Sequence, residues 1–205
     1  MTAVKICGLM RPEDVEASCE LGAAYVGFVF AAASPRRVTA GRARELAAAC
    51  RPGVLKVGVF ADEDAETVNA AVSAAGLDLV QLHRRLTEEE VAGAPVPVIA
   101  VARREGTGFA VPRAEILVRC HAVLFDGSEG TGAAINPGRV AEAAWPVPVL
   151  VAGGLTAENV GDAIRRLRPA GVDVASGVES APGVKDRARL ERFFAAVREA
   201  DAKPG

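Results

Sequence analysis

Eight short apolar runs, each followed by a longer stretch of helical character, divide almost the whole chain into repeating units. The runs begin 19 to 30 residues apart, are rich in Val, Leu and Ile, and cover residues 4–8, 25–30, 55–60, 79–83, 98–103, 122–126, 149–154 and 172–177. Continuous apolar runs of this length are typical of strands that are buried on both faces of a parallel sheet. The sequence therefore predicts a β-strand followed by an α-helix, repeated eight times.

Helix start signals lie between most of these runs. Pro12 suits the first position of the first helix, and the pair Asn136 and Pro137 suits an N-cap followed by a first helical residue. The stretch 111–120 is short and contains a proline, so we expect the fifth helix to be brief. The remaining candidate N-caps are Thr39, Asp62, Thr87 and Thr156.

Eight βα units favour a closed (β/α)8 barrel of the TIM type. Neither a composition shift nor a linker interrupts the repeats, so we expect a single domain over residues 1–205. The barrel would be compact, because about 250 residues are typical of the fold. An open, doubly wound sheet of eight strands is the alternative, although the chain has no G-x-G-x-x-G after any strand, which argues against a dinucleotide-binding sheet.

The composition limits the classes of partner. Hydrophobic residues make up 50% of the chain, the formal net charge is -2, and the arginines are scattered rather than arranged in a stripe. We therefore expect a small soluble substrate and neither nucleic acid nor membrane as a partner. The sequence shows no secretory leader and no apolar run of about 20 residues, which favours a cytoplasmic location.

The cysteines predict free thiols and no metal site. They form no C-x-x-C pair and lack the accompanying histidines that a zinc site needs. Cys7 ends the first strand, where a thiol is either a reactive group or a small core residue, since chemistry requires a thiolate in a partly exposed, cationic environment. Lys5 should face the same side as Cys7, because side chains alternate along a strand. The others are Cys19, Cys50 and Cys120.

The active site of a (β/α)8 barrel is built from the C-terminal ends of the strands and the loops that follow them. Glycines after the seventh and eighth runs predict a phosphate site, because they let backbone N–H groups approach an anion and because these two loops often bind phosphate in barrel enzymes. The position of barrel active sites at strand ends therefore selects nine candidate site residues: Cys7, Arg36, His83, Asp126, Gly153, Gly154, Asp173, Ser176 and Gly177.

Three of these residues have an alternative interpretation. Asp126 ends an apolar strand before the glycine-rich stretch 127–132, so closure of that loop would favour a protonated carboxyl suited to general acid catalysis; the alternative is an Asx turn. Arg36 could clamp a substrate carboxylate or lie solvated in its loop. His83 could face the cavity or be an ordinary hydrogen-bonded strand-end residue. Cys7 and Asp126, on different sides of the barrel mouth, could flank one small substrate.

Seven ordered segments carry a family resemblance over essentially the full chain. They are KICG at 5–8; GFVF at 27–30 with SPR at 34–36; VGVF at 57–60; VQLH at 80–83; Asp126 with GTG at 130–132; GGL at 153–155 through NV at 159–160; and DVASGVE at 173–179 with PG at 182–183 and KD at 185–186. In these segments the chain resembles the phosphoribosylanthranilate isomerase family. The resemblance implies a (β/α)8 barrel without a cofactor, present as a monomer or homodimer, that acts on a small phosphosugar in tryptophan biosynthesis.

The resemblance also implies a reaction and residue roles. The reaction is the Amadori rearrangement of N-(5-phosphoribosyl)anthranilate to 1-(2-carboxyphenylamino)-1-deoxyribulose 5-phosphate. Asp126 would be the general acid that opens the ribose ring, and Cys7 the general base that removes the proton from ribose C2. The other matching residues would bind substrate: Arg36 the anthranilate carboxylate, Asp173 and His83 the anthranilate side, and the backbone around Gly153, Gly154, Ser176 and Gly177 the phosphate.

The chain departs from the family pattern at the rim of the predicted site. Arg84 and Arg85 follow Gln-Leu-His where the family usually has Gly, Glu129 replaces a Gly, and residues 135–137 replace a loop aromatic. We expect these changes to affect turnover or substrate breadth rather than the reaction class. Two other functions stay open: a histidine-pathway aminoaldose isomerase or dual-substrate relative, which the resemblance associates with a carboxylate on the first strand, and a barrel that binds phosphate without catalysis.

Overall fold

Eight parallel strands pair in a closed ring in the computed structural model, which describes residues 1–105, 108–127 and 144–203. β4 pairs on one side with β3 and on the other with β5, where Val80 lies opposite Val98. This last pairing closes the ring and excludes the open sheet, so the predicted (β/α)8 barrel is confirmed. The ring strands are β1 Ala3–Cys7, β2 Tyr25–Val29, β3 Leu55–Phe60, β4 Leu79–Leu82, β5 Val98–Glu105, β7 Ala122–Asp126, β8 Val149–Ala152 and β9 Gly171–Val174.

Helices between the strands cover the outside of the ring, as the repeat predicts. The fifth is a single turn, in agreement with the expectation from the sequence. In the described residues they are α1 Pro12–Leu21, α2 Ala40–Ala47, α3 Ala65–Ala75, α4 Glu88–Ala92, α5 Ala114–Leu117, α6 Val160–Leu167 and α7 Arg187–Ala202. No helix in residues 1–105, 108–127 and 144–203 is both long enough and apolar enough to cross a membrane.

Three of the predicted helix starts are confirmed. Pro12 is the first residue of α1, where its missing N–H costs nothing. The hydroxyl of Thr39 accepts a hydrogen bond from the N–H of Arg42 at the start of α2. Thr87 caps α4 in a reciprocal capping box with Glu90. The capping hydroxyls thus fix where these two helices begin.

Two predicted helix starts are wrong, and one is untested. Asp64 rather than Asp62 caps α3, because its carboxylate lies three residues before the N–H of Thr67 that it accepts from. Thr156 is not an N-cap: its hydroxyl accepts from Glu158 within a turn, and α6 begins only at Val160. The pair Asn136 and Pro137 lies outside the described residues.

Three short strands escaped the sequence analysis because two or three residues show no periodicity. β6, Gly108–Ala110, pairs antiparallel with the outer end of β5. β10, Glu179–Ala181, and β11, Val184–Lys185, form a hairpin after β9 in which Glu179 lies opposite Lys185. The hairpin therefore returns two charged side chains to the mouth of the barrel.

Two apolar layers fill the protein, one between strands and helices and one inside the ring. Phe30 and Phe60 stack in the outer layer with ring centroids 4.8 Å apart. The inner layer contains Val57, Val59 and Ile99 among other aliphatic side chains. Three polar side chains are also buried at interior positions of the ring: Lys5, Gln81 and Asp173. Gln81 and Asp173 also line the cavity at the C-terminal end of the barrel.

Candidate active site

All nine residues selected from the sequence line one cavity at the C-terminal end of the barrel. This glycine-lined cavity has a volume of about 250 Å³. It shares Cys7, Arg36, His83 and Asp126 with a wider cavity of about 450 Å³, whose other walls include the apolar Val29, Val59, Phe60 and Val101. These four residues, together with Ala175, which also lines both cavities, therefore lie where a polar compartment meets a more apolar one.

Cys7 and Lys5 project from β1 into the barrel beside β2, as alternation predicts. Cys7 is 8% exposed and Lys5 is fully buried. A Cβ on Gly27 of β2 would lie 3.0 Å from the Cys7 Sγ and 3.2 Å from the Lys5 Nζ. The absence of a side chain at Gly27 thus makes room for both groups. Lys5 Nζ donates to Asp173 Oδ1 at 3.0 Å, which forms a buried ion pair between β1 and β9.

The environment of the Cys7 thiol works in two directions. Burial raises the pKa of Cys7, while the nearby ammonium groups of Lys5 and Lys185 lower it, and burial prevails. Burial also lowers the pKa of Lys5, but the charges of Asp173 and Cys7 outweigh it and the net shift is upward. Lys5 therefore stays an ammonium group that faces the thiol.

A second buried cluster of charges links Arg36 to the hairpin. Glu179 accepts from Arg36 Nε at 2.8 Å, from Arg36 Nη2 at 2.6 Å and from Lys185 Nζ at 2.8 Å. Lys185 Nζ also donates to the carbonyl oxygens of Cys7 at 2.6 Å and Ala175 at 3.2 Å. Three acceptors match the three N–H bonds of an ammonium group. The hairpin thus joins the ends of β1 and β9 and fixes the plane of the Arg36 guanidinium.

Glu179 and Lys185 were not among the predicted site residues. Burial raises the pKa of Glu179, but the hydrogen bond from Arg36 and the charge of Lys185 more than offset this, so the pKa is lowered. Burial lowers the pKa of Lys185, and Glu179 opposes the shift only in part. The signal available in the sequence was a pair of charged residues, one on each side of a short Pro-Gly turn.

These buried charges do not cancel. Lys5, Arg36 and Lys185 are cations, whereas Asp173 and Glu179 supply two carboxylates. The group of five therefore carries one excess positive charge close to Cys7. This charge attracts an anionic group of a ligand and offsets part of the cost of burying a thiolate, because Coulomb interactions are strong in a poorly solvated interior.

His83 follows the last residue of β4 and lines both cavities. Its Nε2 lies 2.6 Å from the side-chain nitrogen of Gln81, two residues earlier on the same face of the strand. Burial lowers the pKa of His83, and the charge of Asp126 opposes this only in part. His83 is therefore a neutral ring at pH 7 that is oriented by Gln81.

Asp126 is half-buried at the end of β7 and also lines both cavities. Arg103 lies opposite it on β5, and Arg103 Nη1 approaches the carbonyl oxygen of His83 at 3.4 Å. Arg103 was missed although a charged residue at the end of an apolar strand is the signal that selected Asp126. The predicted cover of the site, including Glu129, Gly130 and residues 131–137, lies outside the described residues.

The two loops at the glycine-lined end touch each other. Gly153 and Gly154 have φ values of +100° and +64°, a region that favours glycine. Asn159 holds the same turn, since its side chain donates to the Gly154 carbonyl oxygen at 2.9 Å and accepts from the Thr156 N–H at 2.8 Å. A Cβ on Gly177 would lie 1.9 Å from the carbonyl oxygen of Leu155. Only glycine at position 177 therefore allows this contact.

The predicted substrate residues do not all lie at the same end. Asp173 lines the glycine-lined cavity, not the wider one, and is held by Lys5. Arg84, one of the departures at the rim, bonds with Glu90 and with the carbonyl oxygens of Ala61 and Glu63. It joins the ends of β3 and β4 outside both cavities.

Within the described ranges, no group of three His, Cys, Asp or Glu side chains is arranged to hold a metal ion.

Comparisons with known proteins point to one family. A family model described as N-(5′phosphoribosyl)anthranilate (PRA) isomerase matches residues 4–196. The N-(5′-phosphoribosyl)anthranilate isomerase of Cereibacter sphaeroides is 41% identical, with 95% of this chain and 98% of the relative covered. The crystal structure of the phosphoribosyl anthranilate isomerase from Thermus thermophilus superimposes with a TM-score of 0.85 at 36% identity, covering 97% of this chain and 99% of that one.

A further solved structure contains a bound ligand. It is a phosphoribosyl anthranilate isomerase in complex with reduced 1-(o-carboxyphenylamino)-1-deoxyribulose 5-phosphate. That protein is 33% identical to this chain, with a TM-score of 0.77 over 97% of this chain and all of the other.

Replacing Lys5 by Met should lower the free energy of unfolding by about 3–5 kcal/mol, because the carboxylate of Asp173 would stay buried without its partner. The double substitution Lys5→Met with Asp173→Asn should recover most of this loss, since it removes both charges. Urea denaturation of the three proteins would measure the difference. Equal losses in the single and double variants would contradict the importance of the ion pair.

Proposed function

The chain belongs to the N-(5′-phosphoribosyl)anthranilate isomerase family of tryptophan biosynthesis, and we propose that it rearranges N-(5-phosphoribosyl)anthranilate with Cys7 as general base and Asp126 as general acid. The product is 1-(2-carboxyphenylamino)-1-deoxyribulose 5-phosphate. The observation that carries the proposal is the junction of the two cavities, where the thiol and the carboxyl group line one space between a glycine-lined end and an apolar end.

The two compartments suit the two ends of this substrate. Backbone N–H groups around Gly154 and Gly177 bind the phosphate, since glycine permits close approach of an anion. The anthranilate ring lies in the wider, more apolar cavity, and Arg36 binds its carboxylate. The ribose then spans the junction and lies between Cys7 and Asp126.

The first chemical step opens the ribose ring. Asp126 donates its proton to the ring oxygen as the bond between that oxygen and C1 breaks, and the nitrogen lone pair forms a C1=N iminium. The positive iminium makes the hydrogen on C2 acidic, because the electrons released at C2 can neutralise the nitrogen. Protonation of the leaving oxygen by a positioned acid is expected to contribute about 10²- to 10⁴-fold to the rate.

The second step moves the proton from C2. The Cys7 thiolate takes this proton, and the C–H electrons form a C1=C2 double bond, which gives an enolamine. Addition of a proton at C1 and loss of the C2 hydroxyl proton complete the ketone. The excess positive charge around Cys7 supports this role because it offsets part of the burial that disfavours the thiolate.

The remaining side chains hold the reacting groups in position. Asp173 is the counter-ion of Lys5, and its contact with the anthranilate side stays a prediction. His83, a neutral ring, borders the junction between the two cavities. Glu179 and Lys185 fix Arg36 and the end of β1. Correct alignment of this kind supplies much of the rate enhancement in enzymes.

Cys7→Ala and Asp126→Asn should each lower kcat by about 10²- to 10⁴-fold, because each removes one proton-transfer group. Substrate affinity should stay within a few-fold. The measurement is loss of phosphoribosylanthranilate fluorescence with no metal or cofactor added, and Cys120→Ala, at a buried cysteine remote from both cavities, is the control. Wild-type protein that binds the substrate analogue without turnover would contradict the proposed activity; large affinity losses with preserved kcat would remove either residue from catalysis.

The pH dependence should report the Cys7 thiol. A general base works only when deprotonated, and burial raises the pKa of Cys7, so kcat/KM should still be increasing in the alkaline range above the ordinary thiol pKa. His83 cannot cause this rise, because its pKa is lowered and its titration is complete at more acidic pH. Initial rates at low substrate concentration across this range provide the test. A profile that is level above neutral pH would contradict a thiol base.

Gly177→Ala should weaken binding of inorganic phosphate by about 10- to 100-fold, the loss expected when one hydrogen bond to a charged group is disrupted. The added Cβ would force the loops after β8 and β9 apart, since it would overlap the Leu155 carbonyl oxygen. Gly161→Ala is the matched control, because its Cβ would meet only the flexible end of Arg165. Titration calorimetry would measure the phosphate affinity of both variants and of the wild-type protein. If Gly177→Ala binds phosphate as tightly as the other two proteins, the predicted phosphate loops are wrong.

A further inference from the structure

Gln81 is a buried polar residue to which the proposed reaction assigns no contact with the substrate. It lies on β4, is 1% exposed and lines the glycine-lined cavity together with Cys7 and Asp126. Its side-chain nitrogen lies 2.6 Å from His83 Nε2. Its side-chain oxygen has no hydrogen-bond partner within residues 1–105, 108–127 and 144–203. One end of the amide is therefore paired and the other is not.

The surroundings of Gln81 explain why the protein itself does not satisfy this oxygen. On the neighbouring strands Gln81 lies opposite Val59 and Ile99, whose side chains belong to the apolar layer inside the ring. An amide oxygen that is buried without a partner costs about 1–3 kcal/mol. Buried polar groups in native proteins are nearly always paired, so an exception at a cavity wall points to a bound ligand as the partner.

We propose that Gln81 is a substrate-binding residue whose carboxamide pairs with a ribose hydroxyl of the phosphosugar. This inference rests on the proposed function. A hydroxyl suits the position because it both donates and accepts, and therefore satisfies the outward end of the amide whichever way the amide is turned toward His83.

The position of Gln81 selects the ribose rather than the other parts of the substrate. Gln81 lines the glycine-lined cavity but not the wider apolar one, which separates it from the anthranilate ring. The proposed function assigns the phosphate to the backbone N–H groups around Gly154 and Gly177 instead. The ribose hydroxyls remain, and they pass between Cys7 and Asp126 in the same cavity. Gln81 would thus discriminate against sugars that lack one hydroxyl, since such a ligand leaves the amide unpaired.

Deoxy analogues of one ligand separate this role from a structural one. The probes are reduced 1-(o-carboxyphenylamino)-1-deoxyribulose 5-phosphate and three versions of it, each lacking one hydroxyl at C2, C3 or C4. Titration calorimetry would give the Kd of each probe for wild-type protein and for Gln81→Met. Leu79→Met, two residues earlier on β4 and also facing the inner layer, controls for a methionine in the barrel interior.

Gln81→Met should weaken binding of the parent probe by about 10- to 100-fold. The deoxy probe that lacks the contacted hydroxyl should bind the wild-type protein more weakly than the parent probe does, by a similar factor. Its affinity should fall little further in Gln81→Met, because the contact is already absent. The other two should lose as much as the parent does, and Leu79→Met should leave all four affinities within a few-fold.

The opposite result is equally specific. If Gln81→Met weakens all four probes by the same factor, or weakens none, then Gln81 acts only on His83 or on the barrel, and the inference is wrong. Gln81→Asn, which shortens the side chain but keeps it polar, replaces Gln81→Met if the latter does not fold. Turnover and tight binding of the parent probe by the wild-type protein test the proposed function separately. If both are observed and the effect of Gln81→Met does not depend on which hydroxyl is missing, only the inference about Gln81 is wrong.

Discussion

Buried charges in this protein must be paired, and the pairs that result hold the candidate site together. An isolated charge in a barrel interior would be strongly destabilising. Lys5 is therefore tied to Asp173 across β1 and β9, and Glu179 is tied to both Arg36 and Lys185. These contacts fix strand ends and loops that come from distant parts of the sequence. The same contacts leave the thiol of Cys7 beside an excess of positive charge.

In the proposed function, the division of the site into two compartments sets the orientation of the substrate. Phosphate and anthranilate differ in polarity, and the two cavities differ in the same sense, with glycine-rich loops at one end and apolar walls at the other. In the proposed function, binding of both ends would fix the sugar between groups on different strands. Asp126 and Cys7 would then reach opposite parts of one small molecule from fixed positions, as the two proposed proton transfers require.

The sequence predicts the barrel and the strand-end residues because both depend on local patterns. Apolar runs separated by helical stretches are enough for eight βα units, and the topology then brings all strand ends to one mouth. Lys185 was missed because its sequence does not reveal a partner that lies 178 residues away. Gln81 was missed because a polar residue within an apolar run does not show by itself that it lines a cavity. The predicted cap at Asp62 is two residues before the actual cap, Asp64, since composition near a helix start does not fix its first residue. The roles proposed for Cys7 and Asp126 stay predictions.

The bond from Lys185 to the Cys7 carbonyl spans 178 residues of sequence. During synthesis the first strand leaves the ribosome early, whereas the lysine that supports its end emerges near the close of translation. The thiol therefore meets its complete electrostatic surroundings only when nearly the whole polypeptide has been made. Partly synthesised chains would expose a cysteine without this support, and only the completed fold would place it in its charged surroundings.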